Sequence, residues 1–188
     1  MGIPQPATAF SFADYLAWED GQLEKHEFVR GECFAMAGAK RTHVTVSLNL
    51  ASAFKTHLRG TPCRTYMADM KLRVEAADSG FYPDVMVSCD ARDHAADLYL
   101  SHAMLVVEIL SDSTAAYDRG DKFADYRKLS SLQEYAIVDI AARRVECFRR
   151  NADNHWVLYD FTGGGECEFA SIGLSMPLAA VFEDVEAE

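Results

Sequence analysis

Two short apolar segments separated by a helical pattern constrain the fold of this chain more than any other feature. Residues 104–110 and 134–140 (EYAIVDI) are almost wholly apolar, as expected of strands that are buried on both faces. Between them, residues 117–130 have the spacing of a helix. A buried strand, a helix and a second buried strand form the pattern of a βαβ unit. We therefore predict an α/β domain with a mixed central sheet.

The rest of the chain adds shorter elements to this unit. Ser11 can cap a helix over residues 11–20, and Asp14 can complete a capping box. We expect one domain over residues 1–188, with its core at about 11–183. The other predicted elements are a hairpin at 26–37, a helix at 41–59, strands at 63–67, 70–75 and 81–89, and two antiparallel C-terminal strands near 143–150 and 155–161.

The composition argues against several classes of protein. No apolar run reaches the ~18 residues of a membrane span. The N-terminal residues lack the basic and apolar segments of a signal peptide, so we expect a cytoplasmic protein that binds no membrane. Five widely spaced cysteines without a CxxC pair predict reduced thiols and no zinc site. The net charge of −11 argues against broad nonspecific affinity for nucleic acid, but not against a small catalytic site.

Two acidic residues interrupt apolar strands. Glu108 lies in the middle of LVVEILSDST (105–114), where a carboxylate is costly unless it is paired, protonated or metal-bound. Asp84 interrupts FYPDVMVSC (81–89) in the same way. If the two strands are neighbours, the acids converge, and Mg²⁺ or Mn²⁺ would relieve their repulsion. The alternatives are an ion pair with a nearby arginine or a strand end that is open to water.

Lys122 joins the helical stripe that should face the sheet, since it lies four residues before Tyr126 and seven before Leu129. A lysine beside two metal-binding acids can orient a water molecule or stabilise developing negative charge. The alternative is a surface ion pair with Asp118, four residues earlier, which would stabilise the helix by roughly 0.3–0.5 kcal/mol and have no functional meaning.

Several segments together make the chain resemble the Uma-type restriction endonuclease family, which belongs to the PD-(D/E)XK nuclease superfamily. YPDVMVSC, VVEILSDST, YDRGDKFADYRKL and SLQEYAIVD occur in the family's order, and HEFVRGECFAMAGAKRTH and MADMKLRV match its opening hairpin, helix start and next strand. The resemblance covers nearly the whole chain. It implies a restriction-endonuclease-like core, with a mixed sheet flanked by helices, and a metal-dependent phosphodiesterase activity.

The resemblance also implies roles for single residues. Asp84 and Glu108 would bind Mg²⁺, with Mn²⁺ as a substitute, together with the main-chain carbonyl of Ile109. The superfamily pattern has a lysine two residues after the second acid, where this chain has Leu110. In families of this kind the lysine is supplied by the following helix, and Lys122 fits that place.

Four further residues match the family pattern. Glu27 would add a metal ligand or hold a metal-bound water, unless it is an exposed hairpin residue. His43 begins the long helix, where it faces the site or has a structural role. Asp69 and Lys71 also match, although an aspartate before a strand often only shapes a turn.

The resulting hypothesis is a Mg²⁺-dependent DNA endonuclease whose products carry a 5′-phosphate and a 3′-hydroxyl. Lys40, Arg41, Arg127 and Lys128 would hold the DNA. A homodimer is expected, because cutting both strands needs two sites and the strands of residues 143–161 can pair across a two-fold axis. The alternatives are a catalytically degenerate nuclease fold that acts as a binding or oligomerisation module, and a hydrolase of small phosphoesters.

Overall fold

The computed structural model describes residues 10–111 and 114–186. The N-terminal residues on which the signal-peptide expectation rests lie outside the described residues, as do Asp112 and Ser113. The described helices are α1 (Phe12–Glu19), α2 (Arg41–His57), α3 (Ala91–His94), α4 (Ala115–Arg119), α5 (Asp121–Tyr126) and α6 (Leu178–Val181). The described strands are β1 (His26–Val29), β2 (Glu32–Ala35), β3 (Arg64–Met67), β4 (Lys71–Val74), β5 (Ser79–Phe81), β6 (Val85–Ser88), β7 (Tyr99–Leu100), β8 (Ala103–Ile109), β9 (Glu134–Asp139), β10 (Arg144–Arg150), β11 (Trp156–Phe161), β12 (Glu166–Phe169) and β13 (Leu174–Pro177).

A six-stranded sheet in the order β11-β10-β9-β8-β6-β3 forms the centre of the fold. Its β8 and β9 strands are parallel and are connected through α4 and α5, whereas the other neighbours are antiparallel. The predicted βαβ unit, the mixed sheet and the antiparallel C-terminal strands are therefore confirmed. This topology brings the carboxyl ends of β8 and β9 to the same end of the sheet as the start of β6.

Helices cover both faces of the central sheet, which explains why its inner strands are apolar on both sides. On one face, Val46, Leu50 and Phe54 of α2 are fully buried against the sheet. On the other face, Phe123 and Tyr126 of α5 pack against it. The longest described helix has 17 residues. Among the described residues, no helix combines the length and apolar character needed to cross a membrane.

A second sheet, in the order β2-β1-β5-β4-β7, lies beside α5. Its first hairpin turns at Arg30 and Gly31, whose φ angles of 52° and 90° are both positive, as a two-residue type I′ turn requires. Leu72 and Phe81 of this sheet share a buried cluster with Tyr126. The hairpin strand β1 is thereby positioned close to α5. The predicted capping box of Ser11 and Asp14 is also present at the start of α1.

Two predicted elements differ from those observed. The continuous helix expected over residues 117–130 is two short helices, which are broken at Gly120. A Cβ at Gly120 would lie 3.1 Å from the carbonyl oxygen of Ala116, so a glycine fits this tight turn best. The strand expected over residues 81–89 begins only at Val85, because Phe81 belongs to β5 in the other sheet.

The prediction of five reduced thiols is wrong, because Cys63 and Cys89 form a disulfide. Arg64 of β3 pairs with Ser88 of β6, so the two cysteines flank this pair on neighbouring strands. The sequence could not reveal this bond, because the register of the two strands brings the sulfur atoms together and the spacing of the cysteines does not show that register. Cys33, Cys147 and Cys167 remain free thiols.

A candidate acidic site at the end of the central sheet

The two acids singled out by the sequence stand at the same end of the central sheet. Asp84 comes directly before β6, and Glu108 is the second-last residue of β8. In the antiparallel pair of these strands, Val85 lies opposite Val107, which places Asp84 beside Glu108 in register. Glu108 is only 4% exposed. The two acids thus meet at one place, although Asp84 precedes its strand and does not interrupt it.

The carboxylate of Asp84 is fixed by two partners. Its Oδ2 atom accepts a hydrogen bond from the Ile109 amide at 2.7 Å. The same oxygen lies 3.2 Å from Nε2 of His43, at the start of α2. Asp84 is therefore tied both to the neighbouring strand and to the helix on the opposite face of the sheet. Neither partner is an arginine.

His43 is held in a mainly anionic environment. Burial disfavours its charged form, but the hydrogen bond and negative charge of Asp84, together with a hydrogen bond to the backbone of Ile109, outweigh this effect and raise the pKa of His43. The imidazolium form is thus favoured next to the aspartate. The sequence left open whether His43 faces the site or has a structural role. In the structure its ring lies against the carboxylate of Asp84.

Lys122 is the centre of a buried charge cluster. Its Nζ atom lies 2.8 Å from Oε1 of Glu27, 3.0 Å from Oε1 of Glu108 and 3.7 Å from Oδ1 of Asp118. All four side chains are nearly inaccessible to solvent. Glu27 comes from β1, so the hairpin of the second sheet completes the cluster. Asp118 does not form the surface pair considered above, because it is buried together with Lys122.

The cluster contains more acids than bases, and the pKa values follow from this imbalance. Burial, reinforced by the charges of Asp84, Asp118 and Glu27, raises the pKa of Glu108 to about 8, although Lys122 opposes the shift. Burial also raises the pKa of Asp118. Burial alone would lower the pKa of Lys122, but Glu108, Glu27 and Asp118 raise it well above its ordinary value. The lysine is therefore cationic, and the site attracts further positive charge.

Tyr126 is a second partner of Glu108, and it donates a hydrogen bond. Its hydroxyl donates a hydrogen bond to Oε1 at 2.7 Å, and the side chain is fully buried. Oε1 thus has two partners, Tyr126 and Lys122. Within the described part of the chain, no side chain or amide bonds to Oε2 of Glu108 or to Oδ1 of Asp84. Each acid therefore has one oxygen that is engaged and one that is not.

Sequence reasoning did not single out Asp118 and Tyr126 as site residues, although a signal was present. Asp118, Lys122 and Tyr126 are spaced at intervals of four residues in YDRGDKFADY. This spacing places polar side chains on one helical face, which should otherwise be apolar where it covers a sheet. Three such residues in a row indicate a buried polar cluster more strongly than Lys122 alone.

Several other residues considered above have partners elsewhere. Asp69 forms an exposed ion pair with Lys25 at 2.9 Å, and Lys71 lies over the ring of Tyr82. Arg127 stacks on a phenylalanine ring, and Lys128 pairs with Asp125 at 2.8 Å. Lys40 and Arg41 are exposed at the start of α2, close in sequence to His43.

The oxygen atoms at this site suit a hard divalent cation. No group of three or more histidine, cysteine, aspartate or glutamate residues is arranged to enclose a metal ion in residues 10–111 and 114–186. Mg²⁺ does not require such a group, because it commonly binds one or two carboxylates and keeps several water molecules. The unengaged oxygens of Asp84 and Glu108, in a cluster with excess negative charge, meet this smaller requirement.

The chain is similar to proteins of one family in sequence and in fold. Residues 12–179 match the Uma2 family, whose description reads "Putative restriction endonuclease". Two proteins of Synechocystis sp., both named uncharacterized, are also similar. Slr1290 is 35% identical over 94% of this chain and 93% of its own length, and sll1609 is 33% identical over 84% and 91%.

A crystal structure from Anabaena variabilis, described as "a putative nuclease belonging to DUF820", has a similar fold. Its TM-score is 0.72, and the match covers 89% of this chain and 96% of that one, at 14% sequence identity. This likeness establishes the mixed α/β nuclease fold. Because the family match spans most of the sequence and both relatives align along nearly their full length, this chain belongs to the Uma2 family.

Proposed function

We propose that this protein is a metal-dependent endonuclease that hydrolyses phosphodiester bonds in DNA. The observation that carries the proposal is the pairing of Asp84 and Glu108 at one end of the sheet, each with one carboxylate oxygen that other described residues leave unengaged. The family to which the chain belongs and the nuclease fold of its structural neighbour support the same activity.

Asp84, Glu108 and the main-chain carbonyl of Ile109 would hold Mg²⁺, with Mn²⁺ as a substitute. When bound, this ion lowers the pKa of a coordinated water molecule and neutralises the scissile phosphate. Attack of hydroxide on phosphorus breaks the bond to the 3′ oxygen, which takes up a proton. The products would carry a 5′-phosphate and a 3′-hydroxyl.

The protein's own cations would assist this reaction. Lys122 is held beside Glu108 by Glu27 and Asp118, so its ammonium group remains charged and is positioned to stabilise negative charge that builds on the phosphate. His43 would keep Asp84 oriented through its 3.2 Å contact. Glu27 would act mainly by positioning Lys122, rather than as an additional metal ligand.

DNA would enter from the open end of the sheet. Lys40 and Arg41 lie three and two residues before His43, respectively, and are exposed. Their exposure at the start of α2, near His43, is the reason for proposing that they contact phosphates. The net charge of −11 implies that such binding is local and weakens as salt concentration rises.

A homodimer would supply the two sites that are needed to cut both strands of DNA. The strand β11 lies at the edge of the central sheet. It exposes Val157, Leu158 and Tyr159, with 39–45% of each residue accessible. A strand edge that carries apolar side chains and no lysine is suited to pairing with a second copy of the same strand.

The variant Glu108→Gln tests the proposal. It keeps the size and hydrogen-bonding atoms of the side chain but removes the charge that a metal needs. We expect wild-type protein with Mg²⁺ or Mn²⁺ to nick or linearise plasmid DNA. The variant should cleave the plasmid at least about 100-fold more slowly. Glu32→Gln, at an exposed position on β2 of the second sheet, is the control and should retain activity. Mg²⁺-dependent cleavage by a well-folded Glu108→Gln variant would refute the assignment.

One observation favours the catalytically degenerate alternative. The lysine expected two residues after the second acid is replaced by Leu110, and Lys122 is already paired with carboxylates. In that case Mn²⁺ would raise the unfolding temperature without any turnover of DNA. A hydrolase of small phosphoesters would instead cleave nucleotides in a substrate panel and leave plasmid DNA intact.

A further inference from the structure

We propose that Tyr126 is a positioning residue, which turns the carboxylate of Glu108 so that Oε2 faces the incoming metal ion. This inference rests on the proposed function, since it concerns how that metal site is assembled. The resemblance to the nuclease family assigns no role to Tyr126. The proposal depends only on the contacts around Glu108.

The hydrogen-bond donor and the ion-pair partner of Glu108 act on the same oxygen. The Tyr126 hydroxyl lies 2.7 Å from Oε1, and the Lys122 ammonium lies 3.0 Å from the same atom. A glutamate carboxylate rotates easily about its last bond, so its two oxygens are interchangeable unless a donor distinguishes them. The hydrogen bond and the ion pair on Oε1 fix the rotation and leave Oε2 as the oxygen available to a ligand.

Of these two partners, Tyr126 is the one that defines the orientation. Lys122 contacts three carboxylates, from Glu27, Glu108 and Asp118, and can shift among them without losing its charge compensation. Among the residues that the structure describes, the Tyr126 hydroxyl has a single acceptor, Oε1 of Glu108. Its hydroxyl cannot follow a rotated carboxylate without moving the whole ring.

The ring of Tyr126 is immobilised by packing. Its centroid lies 5.1 Å from that of Phe81 and 5.5 Å from that of Tyr135, and the side chain is fully buried. Phe81 belongs to the second sheet and Tyr135 to the central sheet. The hydroxyl is therefore presented from a rigid position that both sheets determine.

This arrangement corresponds to the outer-shell hydrogen bonds that orient metal ligands in other proteins, whose loss typically costs 10–100-fold in metal affinity. The change Tyr126→Phe removes only the hydroxyl and keeps the ring contacts. We expect it to weaken Mn²⁺ binding by about 10–100-fold. The maximal cleavage rate at saturating Mn²⁺ should change little, because the hydroxyl does not contact the substrate.

Tyr82→Phe is the matched control. Tyr82 is also buried, and its hydroxyl donates at 2.8 Å to the carboxylate of Glu19, which lies outside the acidic site. Both variants lose a phenol-to-carboxylate hydrogen bond, but only one of these bonds involves a proposed metal ligand. The control reports how much of any effect comes from general loss of stability.

The experiment is a calorimetric titration of wild type, Tyr126→Phe, Tyr82→Phe and Glu108→Gln with Mn²⁺, together with cleavage rates measured across Mn²⁺ concentrations. We expect affinity to fall in Tyr126→Phe, to stay near the wild-type value in Tyr82→Phe, and to be lost in Glu108→Gln. High Mn²⁺ should restore cleavage by Tyr126→Phe. A purely structural role would not produce this rescue.

The outcomes separate this inference from the proposed function. If wild type binds no Mn²⁺, the metal site and this inference both fail. If wild type binds Mn²⁺ through Glu108 but Tyr126→Phe binds equally well, only the positioning role is wrong. The positioning role is also wrong if the two phenylalanine variants lose affinity equally, or if saturating Mn²⁺ does not restore cleavage by Tyr126→Phe.

Discussion

The ammonium group of Lys122 lies 2.8 Å from the carboxylate of Glu27, and this ion pair joins the two sheets of the protein. Glu27 is in the first hairpin of the five-stranded sheet, whereas Lys122 is on the helix that covers the six-stranded sheet. Lys122 also contacts Glu108 and Asp118, so one cation compensates three buried carboxylates. The fold and the candidate site are thus energetically coupled.

We predict that Lys122→Met strongly destabilises the metal-free protein. The methionine fills a similar volume but leaves three buried carboxylates without their cation, and removing one partner of a buried pair typically costs about 3–5 kcal/mol. The free energy of unfolding in urea measures this loss. Lys128→Met is the control, because Lys128 is half exposed and its partner Asp125 keeps its bonds to Arg30 and Ser79. Equal losses in the two variants would contradict the prediction.

A second prediction concerns Asp93, at the opposite end of β8 from the acidic site. Its carboxylate accepts hydrogen bonds from the Ser88 hydroxyl and from the amides of Ser101 and His102. The same carboxylate lies 3.0 Å from Nδ1 of the His102 ring. Burial favours the neutral form, but these hydrogen bonds outweigh it and lower the pKa of Asp93 below its ordinary value of 3.8.

Because the pKa of Asp93 is lower in the folded state, its stabilisation is complete above about pH 3.8 and is lost as the pH falls through the folded value. We expect Asp93→Asn to lower the free energy of unfolding by about 1.5–3 kcal/mol at pH 6. The difference from wild type should shrink below pH 3.8. Urea titrations from pH 6 to pH 2 measure it, and a difference that does not vary with pH would argue against the assignment.

A third prediction concerns the disulfide. Alkylation of the denatured, unreduced protein should label three of the five cysteines, namely Cys33, Cys147 and Cys167. The Cys63–Cys89 bond closes a separation of 26 residues, so its reduction should lower the free energy of unfolding by about 3 kcal/mol. Labelling of all five thiols without a reductant would instead support the reduced state that the sequence predicted.

A fourth prediction concerns the exposed edge of β11. If two copies pair along this strand, Leu158→Lys introduces charge into the interface and should convert a dimer to a monomer. Sedimentation velocity measures the change, and urea unfolding should show that the monomer remains folded. Leu48→Lys on α2 is the control, because Leu48 is also exposed, at 55%, but lies away from the sheet edge. A wild-type protein that sediments as a monomer would refute the proposed pairing.

The local pattern of residues was enough to predict much of the fold. Apolar runs predicted the buried strands at 104–110 and 134–140, which the structure places at Ala103–Ile109 and Glu134–Asp139. Helical spacing likewise predicted α2 within two residues of its observed end. These elements could be predicted because burial on a helix or strand imposes a regular spacing that neighbouring residues carry themselves.

The break at Gly120 was not predicted, although the glycine is visible in the sequence. A glycine inside a helical pattern is often tolerated, and only the tight turn between α4 and α5 shows why it is needed here. The start of β6 was misjudged for a related reason. Phe81 and Val85 both look like strand residues, and pairing with different sheets is what separates them.

The sequence by itself determined that Glu108 is buried, because the apolar residues on either side place it inside a strand whatever the rest of the chain does. Only the tertiary structure decided which groups meet it there. Glu27 reaches Lys122 from the second sheet, Tyr126 reaches Glu108 from α5, and strand register brings Asp84 alongside. Local spacing cannot encode such contacts, since they depend on how distant segments pack together.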